Sequence, residues 1–578
     1  MPSFTFVTAI INIKTGCHEE TLSFKMEQLH ILLKTLQAPI TIFADRGSAE
    51  ILNSTYKDRE NITIILFETS EGCDGCSAIF KTSEGWKDSW IYRASLPYMD
   101  RLPFTRNLEK DTFEHLILTH LKVEFLQRAI ENNKNNIFCW IDPHICHLFS
   151  ENVENVVNYL NYLSQQKYTN EYFLALPGCW DPKDSTHPVD FNTVCWRFCS
   201  NFMIGDATSI RGLHTLYKHF YPTLLKEKNT MTWDMNFLAQ LESEGVFNPK
   251  WYNANHDASI VRIPTSLYSQ NLSDSMDTLI KYDYPEVPGF FPSSASYVKW
   301  ENKSILITRY VNYQIGSDGR YTVFNPSGQL QTRNLISVLS DDFTSIRDSQ
   351  FLDDSTIGIP THLEDARYVG LEDVRAFKDI EFVASSAAYT PDHSIRIVRG
   401  IIRDGKIVSG VVLQPPNGIY TSCEKNWIPI VDHNSKSDCY IYRWHPYEIV
   451  CSDNKGITTI ISSKVIPNTL FEKVRGSTVP IWSDSCYICV VHWTEENDIV
   501  KTLQYYHMLV KLDKTYNVMA WSQPFHFTRI GIQYCLGFTM VDEKTYGFWF
   551  SENDGNPQFM RSCSSQFSFV GLDGRCVA

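Results

Sequence analysis

Two hydrophobic patterns divide the chain into an N-terminal and a C-terminal half. Up to about residue 275, short apolar runs such as 5–13, 39–45 and 62–67 alternate with segments in which apolar residues recur every three or four positions. Short apolar runs are typical of buried strands, and the longer spacing is typical of helices that bury one face. The alternation predicts an α/β domain with a mostly parallel sheet at residues 1–275.

The C-terminal half contains closely spaced strand-like runs, such as 304–315, 394–413 and 505–513, and no helical pattern of any length. A series of this length is typical of a β-propeller or a large sandwich, and five blades of roughly 55 to 60 residues fit. We therefore predict a five-bladed propeller at residues 299–578. A segment rich in Pro, Gly and Ser predicts a linker at residues 276–298.

Composition and charge narrow the classes of function. The 578 residues exceed what one core holds, so at least two domains are expected. The formal charge of −14 at pH 7 argues against a nucleic-acid-binding protein, which needs a basic face. The sequence has no signal-peptide pattern and no uninterrupted apolar run of about 18 residues, so we predict a soluble, cytoplasmic protein without a membrane span.

The cysteines bear on the compartment. Sixteen are scattered along the chain, and the pair Cys73 and Cys76 has no second pair at zinc-site spacing. A secreted disulfide framework is one interpretation of so many cysteines. We favour free thiols in a reducing compartment.

Candidate chemistry in the N-terminal half begins where an apolar run ends. Residues 137–141 are apolar, and Asp142 and His144 follow. In an extended segment, residues two apart point the same way, so both side chains can hold one cation. Ligands of α/β sheets lie at the carboxyl ends of strands, and a divalent metal there would stabilise a diphosphate leaving group. The alternative is a polar strand end with ordinary surface histidines.

Four N-terminal segments resemble a known family: EHLILTHLKVEFLQRAIENN with IFCWIDPHICHLF, then CWRFCSNFMIGD, TWDMNFLAQLES and WYNANHDASIVRIP. Together they are similar to the HtrL/YibB (WlaTC-like) glycosyltransferases, whose fold is similar to the GT-A glycosyltransferases. The resemblance covers residues 3–265. It implies a GT-A-like (Rossmann-like) fold, a nucleotide-sugar donor, a glycan or glycoconjugate acceptor and a divalent metal, Mn²⁺ or Mg²⁺.

The same resemblance implies roles for single residues. Asp142 and His144 match the position of a metal-binding Asp-x-Asp motif, with His in place of the second Asp, and His256 matches a late metal ligand. Asp234 lies where a general base would deprotonate an acceptor hydroxyl, although charge at a helix N-terminus explains it equally well. Asp45 and Arg197 are the expected donor or nucleotide contacts.

Charged and aromatic side chains in the C-terminal half come from separate strand-like runs, and they meet only if those strands radiate about an axis. A carboxylic acid that protonates a departing oxygen, beside cations that hold phosphate, would perform glycosyl transfer. An inverting hydrolase would need two carboxyl groups about 6.5–9.5 Å apart instead. The alternative is a set of scattered ion pairs at blade edges. The candidates are Glu372, Asp373, Arg375, Glu424, Lys425, Asn426, Arg475, His492, Tyr506 and His507.

The series GLEDVRAF, EKNWIPI, YRWHPYEI, RGSTVPIW, VVHW and YYHMLVKLD resembles the five-bladed propeller proteins related to family 130 glycoside phosphorylases and hydrolases, many of which act on β-mannosides. The resemblance covers residues 300–560, with Val374 in place of the usual Pro and Gln533 where Glu is expected. It implies Asp373 as the catalytic acid and inorganic phosphate or a sugar phosphate as a partner. It also implies phosphate or sugar binding by Arg375, Lys425, Arg475, His492 and His507.

These observations leave three hypotheses. In the first, the chain is a bifunctional enzyme of glycan synthesis, a nucleotide-sugar glycosyltransferase fused to a phosphorylase-like propeller. In the second, the propeller only binds glycan. In the third, both domains are degenerate and the protein is a non-enzymatic carbohydrate-interaction protein.

Overall fold

The computed structural model describes most of the 578 residues. The described residues are 4–13, 18–68, 81–168, 171–181, 189–316, 319–364, 366–418, 420–431, 438–483, 485–496, 502–572 and 574–577. Cys73 and Cys76 lie outside them. The chain divides into two compact units, Met1–Leu267 and Tyr268–Ala578, so the division falls before the predicted boundary at residue 275.

The first unit alternates strands and helices, as predicted. Its strands are β1 Phe4–Ile10, β2 Ile40–Ala44, β3 Ile62–Glu68, β4 Lys81–Glu84, β5 Ile137–Ile141, β6 Leu174–Gly178, β7 Phe202–Asp206 and β8 Lys250–Asn253. Its helices are α1 His18–Thr35, α2 Arg46–Tyr56, α3 Trp90–Ser95, α4 Phe113–His120, α5 Lys122–Asn132, α6 Val153–Ser164, α7 Ala207–Lys228 and α8 Asp234–Ser243.

The eight strands form one open sheet in the order β4-β3-β2-β1-β5-β7-β6-β8. Most neighbouring pairs are parallel, and β7 is antiparallel to both β5 and β6. From β1 the chain continues to β2 on one side and reaches β5 on the other, so the strand order reverses between β1 and β5. In open α/β sheets the crevice at such a switch point is where ligands bind. Asp142 follows β5 at this edge.

Packing of α5 on the sheet positions the start of that helix. Phe125 of α5 stacks on Trp140 of β5, with ring centroids 5.9 Å apart. Both side chains are buried in the main core of the unit, together with Phe43 and Phe138 of the sheet. Because the helix is held against β5 in this way, its first residue, Lys122, lies at the carboxyl end of that strand.

The second unit is almost entirely strand. In chain order its strands are β9 Gln270–Asn271, β10 Met276–Lys281, β11 Phe291–Trp300, β12 Lys303–Val311, β13 Tyr313–Ile315, β14 Tyr321–Val323, β15 Leu330–Leu339, β16 Ile346–Phe351, β17 Tyr368–Val369, β18 Glu372–Phe377, β19 Glu381–Ser386, β20 Arg396–Arg403, β21 Lys406–Leu413, β22 Ile428–Pro429, β23 Asp438–Trp444, β24 Tyr447–Ser452, β25 Thr458–Lys464, β26 Arg475–Gly476, β27 Ile481–Ser483, β28 Cys486–Glu496, β29 Leu503–Leu512, β30 Val518–Ser522, β31 Phe525–His526, β32 Gln533–Asp542, β33 Thr545–Glu552, β34 Gly555–Cys563, β35 Phe569–Gly571 and β36 Cys576–Val577.

These strands form successive sheets in a propeller-like arrangement. Three sheets have four strands each, in the orders β18-β19-β20-β21, β22-β23-β24-β25 and β10-β34-β33-β32. Two larger sheets are built on β11-β12-β15-β16 and on β26-β28-β29-β30. The blade count of five stays a prediction.

The predicted linker at residues 276–298 is instead part of the sheets. It contains β10, which pairs with β34 near the C-terminus, and the start of β11. The Pro-, Gly- and Ser-rich composition covers the short connection between those two strands and the first half of β11. Pairing of an N-terminal with a C-terminal strand joins the two ends of the unit in one sheet.

The structure also bears on the predictions about free cysteines and about a membrane-spanning helix. Cys439 of β23 and Cys451 of β24 form a disulfide at directly paired positions, so the expectation of free thiols is wrong at these two cysteines. In the part of the chain that the structure describes, no helix has the length and apolar character needed to cross a membrane.

Candidate functional site

Lys122 joins two carboxylates at the carboxyl end of β5. Its ammonium nitrogen lies 3.6 Å from Asp142 Oδ1 and 3.2 Å from Asp234 Oδ2. It also donates to the main-chain oxygen of Ser200 at 3.0 Å and to the hydroxyl of Ser200 at 2.9 Å. The three charged side chains are buried. The structure therefore brings together Asp142 and Asp234, and it adds a lysine that the sequence analysis did not select.

Lys122 and Asp142 are both ionised at neutral pH. Burial by itself lowers the pKa of Lys122, but Asp142 and Asp234 outweigh burial and raise that pKa above its ordinary value. Burial acts to raise the pKa of Asp142, yet Lys122 and His144 bring it below its ordinary value. The Trp140 indole N–H contributes to this by donating to Asp142 Oδ1 at 2.6 Å. An ammonium between two carboxylates is the result.

His144 and His256 lie in a row of aromatic rings beside Asp142. The ring of His144 stacks on His147 with centroids 5.1 Å apart, and His147 meets His256 edge-on at 6.2 Å. Trp196 packs edge-on against His256 at 5.5 Å. Burial lowers the pKa of His144 to about 4, and its buried Nδ1 has no hydrogen-bond partner among the described residues. His144 is therefore neutral at pH 7.

The carboxylates, as the structure presents them, do not fit a divalent metal. Asp142 Oδ1 and Asp234 Oδ2 already face the Lys122 ammonium, and a second cation between them would repel it. Among the described residues, no group of three or more His, Cys, Asp or Glu side chains is placed to hold a metal ion. The Mn²⁺ or Mg²⁺ expected at Asp142, His144 and His256 stays a prediction.

Asp45 and Arg197, the expected donor contacts, have structural partners. Asp45 caps α2 by accepting from the Ser48 main-chain N–H, and its second oxygen accepts from the N–H of Asn12 at 2.7 Å. Arg197 forms a two-point ion pair with Glu242 through Nε and Nη2, each at 2.7 Å. Both side chains shape the edge of the sheet, and neither role needs a bound nucleotide.

In the second unit, Arg375 of β18 connects four of the sheets. Its Nη2 donates to the Tyr534 hydroxyl of β32 at 2.6 Å and to Asn426 Oδ1, shortly before β22, at 3.3 Å. Its Nε donates to the main-chain oxygen of Ser477, directly after β26, at 2.6 Å. Arg375 is 1% exposed. One guanidinium therefore joins residues on or next to an edge strand of each of four sheets, as the sequence analysis required of a shared site.

A second arginine, Arg309 of β12, holds three carboxylates beside this convergence point. Its Nη1 donates to Asp373 Oδ1 at 2.9 Å and to Glu372 Oε1 at 3.2 Å. Its Nη2 lies 3.3 Å from Asp554 Oδ1. On the other side, Lys425 Nζ donates to Glu372 Oε2 at 2.7 Å. Glu372, Asp373 and Lys425 thus belong to one charged network.

The sequence analysis did not select Arg309 or Asp554, although one sequence feature indicated a role for Arg309. It is the only charged residue in the apolar run 305–311. A charge within a buried strand is rarely left without a partner, so it indicated a carboxylate nearby. Asp554 lies in a turn between β33 and β34 and gives no comparable sign.

Asp373 has an unusual backbone conformation. Its φ is +54°, in the left-handed region, as is the φ of Asn426 at +64°. Asp and Asn adopt this region more readily than other residues with a Cβ, but at a cost that surrounding contacts must offset. Here the Arg309 side chain bonds to Asp373, and the Arg375 side chain bonds to Asn426. The conformation aims the Asp373 carboxylate at Arg309.

His492 and Arg475 occupy directly paired positions on β28 and β26. His492 is buried and its Nδ1 lies 2.8 Å from Ser477 Oγ. Burial, with Arg475 and Arg375 nearby, lowers the pKa of His492 to about 3. Arg475 is exposed and Lys425 is partly exposed. One cation accessible to solvent, Arg475, therefore lies beside a neutral imidazole, and a second, Lys425, lies beside Glu372.

Three other predicted residues serve the core instead. Glu424 accepts from the Trp427 indole at 3.0 Å and from Thr421. His507 is buried among aromatic rings, and its Nε2 accepts from the Cys535 N–H. Tyr506 packs on Trp493 inside the sheet.

Tyr505, one position before Tyr506, faces the site instead. Its ring stacks on His492 with centroids 5.9 Å apart. Neighbouring residues of a strand point to opposite faces of the sheet. The prediction of Tyr506 was therefore one position away from the tyrosine that faces the site. Gln533, where Glu was expected, donates to Glu552 Oε1 and accepts from the Phe527 N–H, so it joins two strands.

No protein-family model matches the chain, and no curated protein matches it. Among solved structures, a GDP-mannose-dependent mannosyltransferase from Leishmania mexicana has 11% identity and a TM-score of 0.30, with 50% of this chain and 90% of that chain covered. A mannose phosphorylase from Leishmania mexicana in complex with phosphate ion has 10% identity and a TM-score of 0.29, with coverage of 53% and 93%. A GH43_1 enzyme from Xanthomonas citri bound to xylotriose has 8% identity and a TM-score of 0.29, with coverage of 53% and 94%. At these scores the likenesses establish neither the fold nor the function of this chain.

Proposed function

We propose that the chain is a bifunctional carbohydrate-active enzyme. Its C-terminal unit transfers a glycosyl group between a glycan and phosphate, and its N-terminal unit transfers a sugar from a nucleotide sugar to a glycan or glycoconjugate. The first part is carried by one observation: Arg309 holds three carboxylates, Lys425 bonds to one of them, and Arg375 joins residues on or next to strands of four sheets. The five large sheets support the proposed five blades.

In the C-terminal unit, Asp373 is proposed as the acid and base. In phosphorolysis a phosphate oxygen bonds to the anomeric carbon, the glycosidic carbon–oxygen bond breaks, and the carboxylic acid of Asp373 protonates the departing oxygen. In synthesis the Asp373 carboxylate takes the proton of the acceptor hydroxyl while phosphate leaves the sugar. Lys425 and Arg475, the accessible cations, hold phosphate. Arg309 positions the carboxylates, and Arg375 bonds to the main-chain oxygen of Asp373.

Phosphate-dependent turnover by the full-length chain tests this part. The chain is incubated with mannose 1-phosphate and a panel of acceptor sugars, and phosphate release is measured. In the opposite direction, formation of sugar phosphate from β-mannosides and phosphate is measured. We expect turnover in both directions, and a loss of roughly 10²- to 10⁴-fold in Asp373→Asn.

Asp341→Asn is the matched control, because Asp341 is 91% exposed and forms only a surface ion pair with Arg347. It should keep the wild-type rate. Saturable glycan binding that survives Asp373→Asn, without turnover in phosphate or water, would instead support a propeller that only binds glycan.

A separate observation favours the transferase function of the N-terminal unit. Asp142 and Asp234 come from different elements, and Lys122 holds both at the carboxyl end of β5, beside the strand-order reversal. This is the edge at which α/β sheets bind ligands. Asp142 would orient the donor, and Asp234 would take the proton of the acceptor hydroxyl.

Nucleoside-diphosphate release from a panel of nucleotide sugars, with a glycan acceptor, tests this part. We expect release from one donor, and loss of release in Asp142→Asn and in Asp234→Asn. Asp58→Asn, at an exposed position after α2, is the control. If no donor is consumed, with or without Mn²⁺, the transferase proposal fails and the non-enzymatic hypothesis gains support for this unit.

A further inference from the structure

The Lys122 ammonium lies where a metal ion would be expected. Asp142 and Asp234 approach it from two elements, and Ser200 supplies two more oxygen atoms through its main chain and hydroxyl. Four oxygen atoms from three residues therefore surround one cation at the carboxyl end of β5. A hard divalent metal prefers the same kind of oxygen ligands at this kind of site.

Lys122 is also part of the fold. It is the first residue of α5, and that helix is fixed against β5 by the Phe125–Trp140 stack. The Lys122 ammonium lies 5.9 Å from the centre of the Trp140 ring. Because the packed helix fixes its backbone, Lys122 stays tethered at this edge, unlike a metal ion, which exchanges with solvent. The positive charge at this edge is therefore supplied by the chain itself.

Two more lysines extend the positive charge toward solvent. Lys25 of α1 follows Phe24, whose ring meets His147 edge-on with centroids 6.0 Å apart. Burial lowers the pKa of Lys25, Asp142 acts to raise it, and the exposed Lys110 lowers it further. Burial, together with Lys25 and Lys110, lowers the pKa of His115 to about 3. Asp111, whose carboxylate lies 4.0 Å from the His115 ring, belongs to the same region, so three lysines lie with three carboxylates. Lys110 is exposed and Lys25 is partly exposed, so an anion from solvent can reach these two cations.

We propose that Lys122 is the resident cation of this edge in place of a divalent metal, and that Lys25 and Lys110 bind the diphosphate of a nucleotide directly. The statement about the diphosphate rests on the transferase function proposed above. The statement about Lys122 and the metal does not, because it concerns only the carboxylates and the ammonium between them.

Metal binding by the full-length protein tests the first statement without any nucleotide. Mn²⁺ is titrated into the wild type and followed by electron paramagnetic resonance of the free ion, with the melting temperature measured in parallel. We expect no tight Mn²⁺ binding at this edge and no change of melting temperature with chelator. Stoichiometric Mn²⁺ binding that Asp142→Asn abolishes would overturn the proposal.

Lys122→Ala provides the converse measurement. Removal of the ammonium leaves two carboxylates facing each other, so this variant should gain Mn²⁺ binding that the wild type lacks. Lys122→Ala combined with Asp142→Asn should lose the gain. If Lys122→Ala does not fold, the titration of the wild type still decides between the two outcomes. If Lys122→Ala folds but binds no Mn²⁺, the proposal that the Lys122 ammonium takes the place of a metal ion is contradicted.

Nucleotide binding tests the second statement. UDP and GDP are titrated into the wild type in excess chelator, and into Lys25→Met, Lys110→Met and the exposed control Lys57→Met. We expect binding in chelator, weakened about tenfold or more in Lys25→Met or Lys110→Met and unchanged in the control. Binding that needs Mn²⁺ would overturn the proposal. Absence of nucleotide binding under all conditions, with no Mn²⁺ binding by the wild type, would refute the transferase function and leave the role of Lys122 standing.

Discussion

Arg309 Nη1 donates to Asp373 Oδ1 at 2.9 Å, and the same guanidinium reaches Asp554 Oδ1 at 3.3 Å. This contact links Asp373, the proposed acid, to the sheet that contains β12. Because Arg309 is buried, water hardly screens the attraction between the two charges. The contact also explains how Asp373 is held at a positive φ.

Arg309→Met is expected to destabilise the protein strongly. The substitution leaves Glu372, Asp373 and Asp554 without their shared cation, and breaking a buried ion pair costs about 3–5 kcal/mol. Urea unfolding of the full-length chain measures the change. Arg347→Met is the control, because its ion pair with Asp341 is exposed and should contribute at most about 1 kcal/mol. Equal effects of the two substitutions would contradict the central role of Arg309.

Removal of His120 should weaken the dependence of stability on pH. Burial lowers the pKa of His120 to about 4, against an ordinary value of 6.5. Between these values the unfolded chain binds the proton and the folded chain does not, so the free energy of unfolding falls as the pH falls from 6.5 to 4. One such group changes the free energy of unfolding by up to about 1.4 kcal/mol per pH unit.

Denaturation of the wild type and His120→Gln at pH 7.5, 6.5, 5.5 and 4.5 measures this contribution. The variant loses the hydrogen bond from the ring to the Thr232 carbonyl and is less stable at pH 7.5, but the difference from the wild type should shrink toward pH 4.5. A difference that stays constant with pH would show that His120 is not the responsible group. His219→Gln, at an exposed position of α7, controls for the substitution itself.

Cys179 should be the most reactive of the described free thiols. Its sulfur lies 3.6 Å from that of Cys199, and the hydrogen bond from Cys199 lowers the pKa of Cys179 to about 7. At pH 7.5 most of Cys179 is thiolate, the form that reacts with iodoacetamide. Mass spectrometry after brief labelling should show it modified several-fold faster than the exposed Cys423, whose pKa is raised by burial. Cys199→Ala should slow the labelling of Cys179, and an unchanged rate would refute the explanation.

The disulfide between Cys439 and Cys451 should stabilise the C-terminal unit. It closes a short loop across the β23–β24 pair, with a sequence separation of 12. Loop closure of this length is worth about 3 kcal/mol. Reductant should lower the melting temperature of the wild type and leave that of the Cys439→Ser/Cys451→Ser variant unchanged. The control Cys576→Ser, at an exposed free thiol, should respond to reductant as the wild type does.

Local sequence patterns predicted much of the fold. Alternation of strands and helices predicted the open sheet of the first unit, and the spacing of Asp142 after an apolar run placed it at a strand end. Glu372, Asp373 and Arg375 were also found together, because they belong to one strand and their proximity needs no long-range contact. The linker was misplaced, because composition cannot show that β10 pairs with β34 at the other end of the unit.

The sequence by itself determined the alternation of strands and helices in the first unit, the series of strands in the second, and which charged residues are neighbours along the chain. Only the tertiary structure decided that Lys122 lies between Asp142 and Asp234, that Arg309 holds Asp373, and that Tyr505 rather than Tyr506 faces the site. The physical reason is that hydrophobic periodicity shows only which face of a single helix or strand is buried. The partner of a buried charge is decided by packing between elements that lie far apart in the chain.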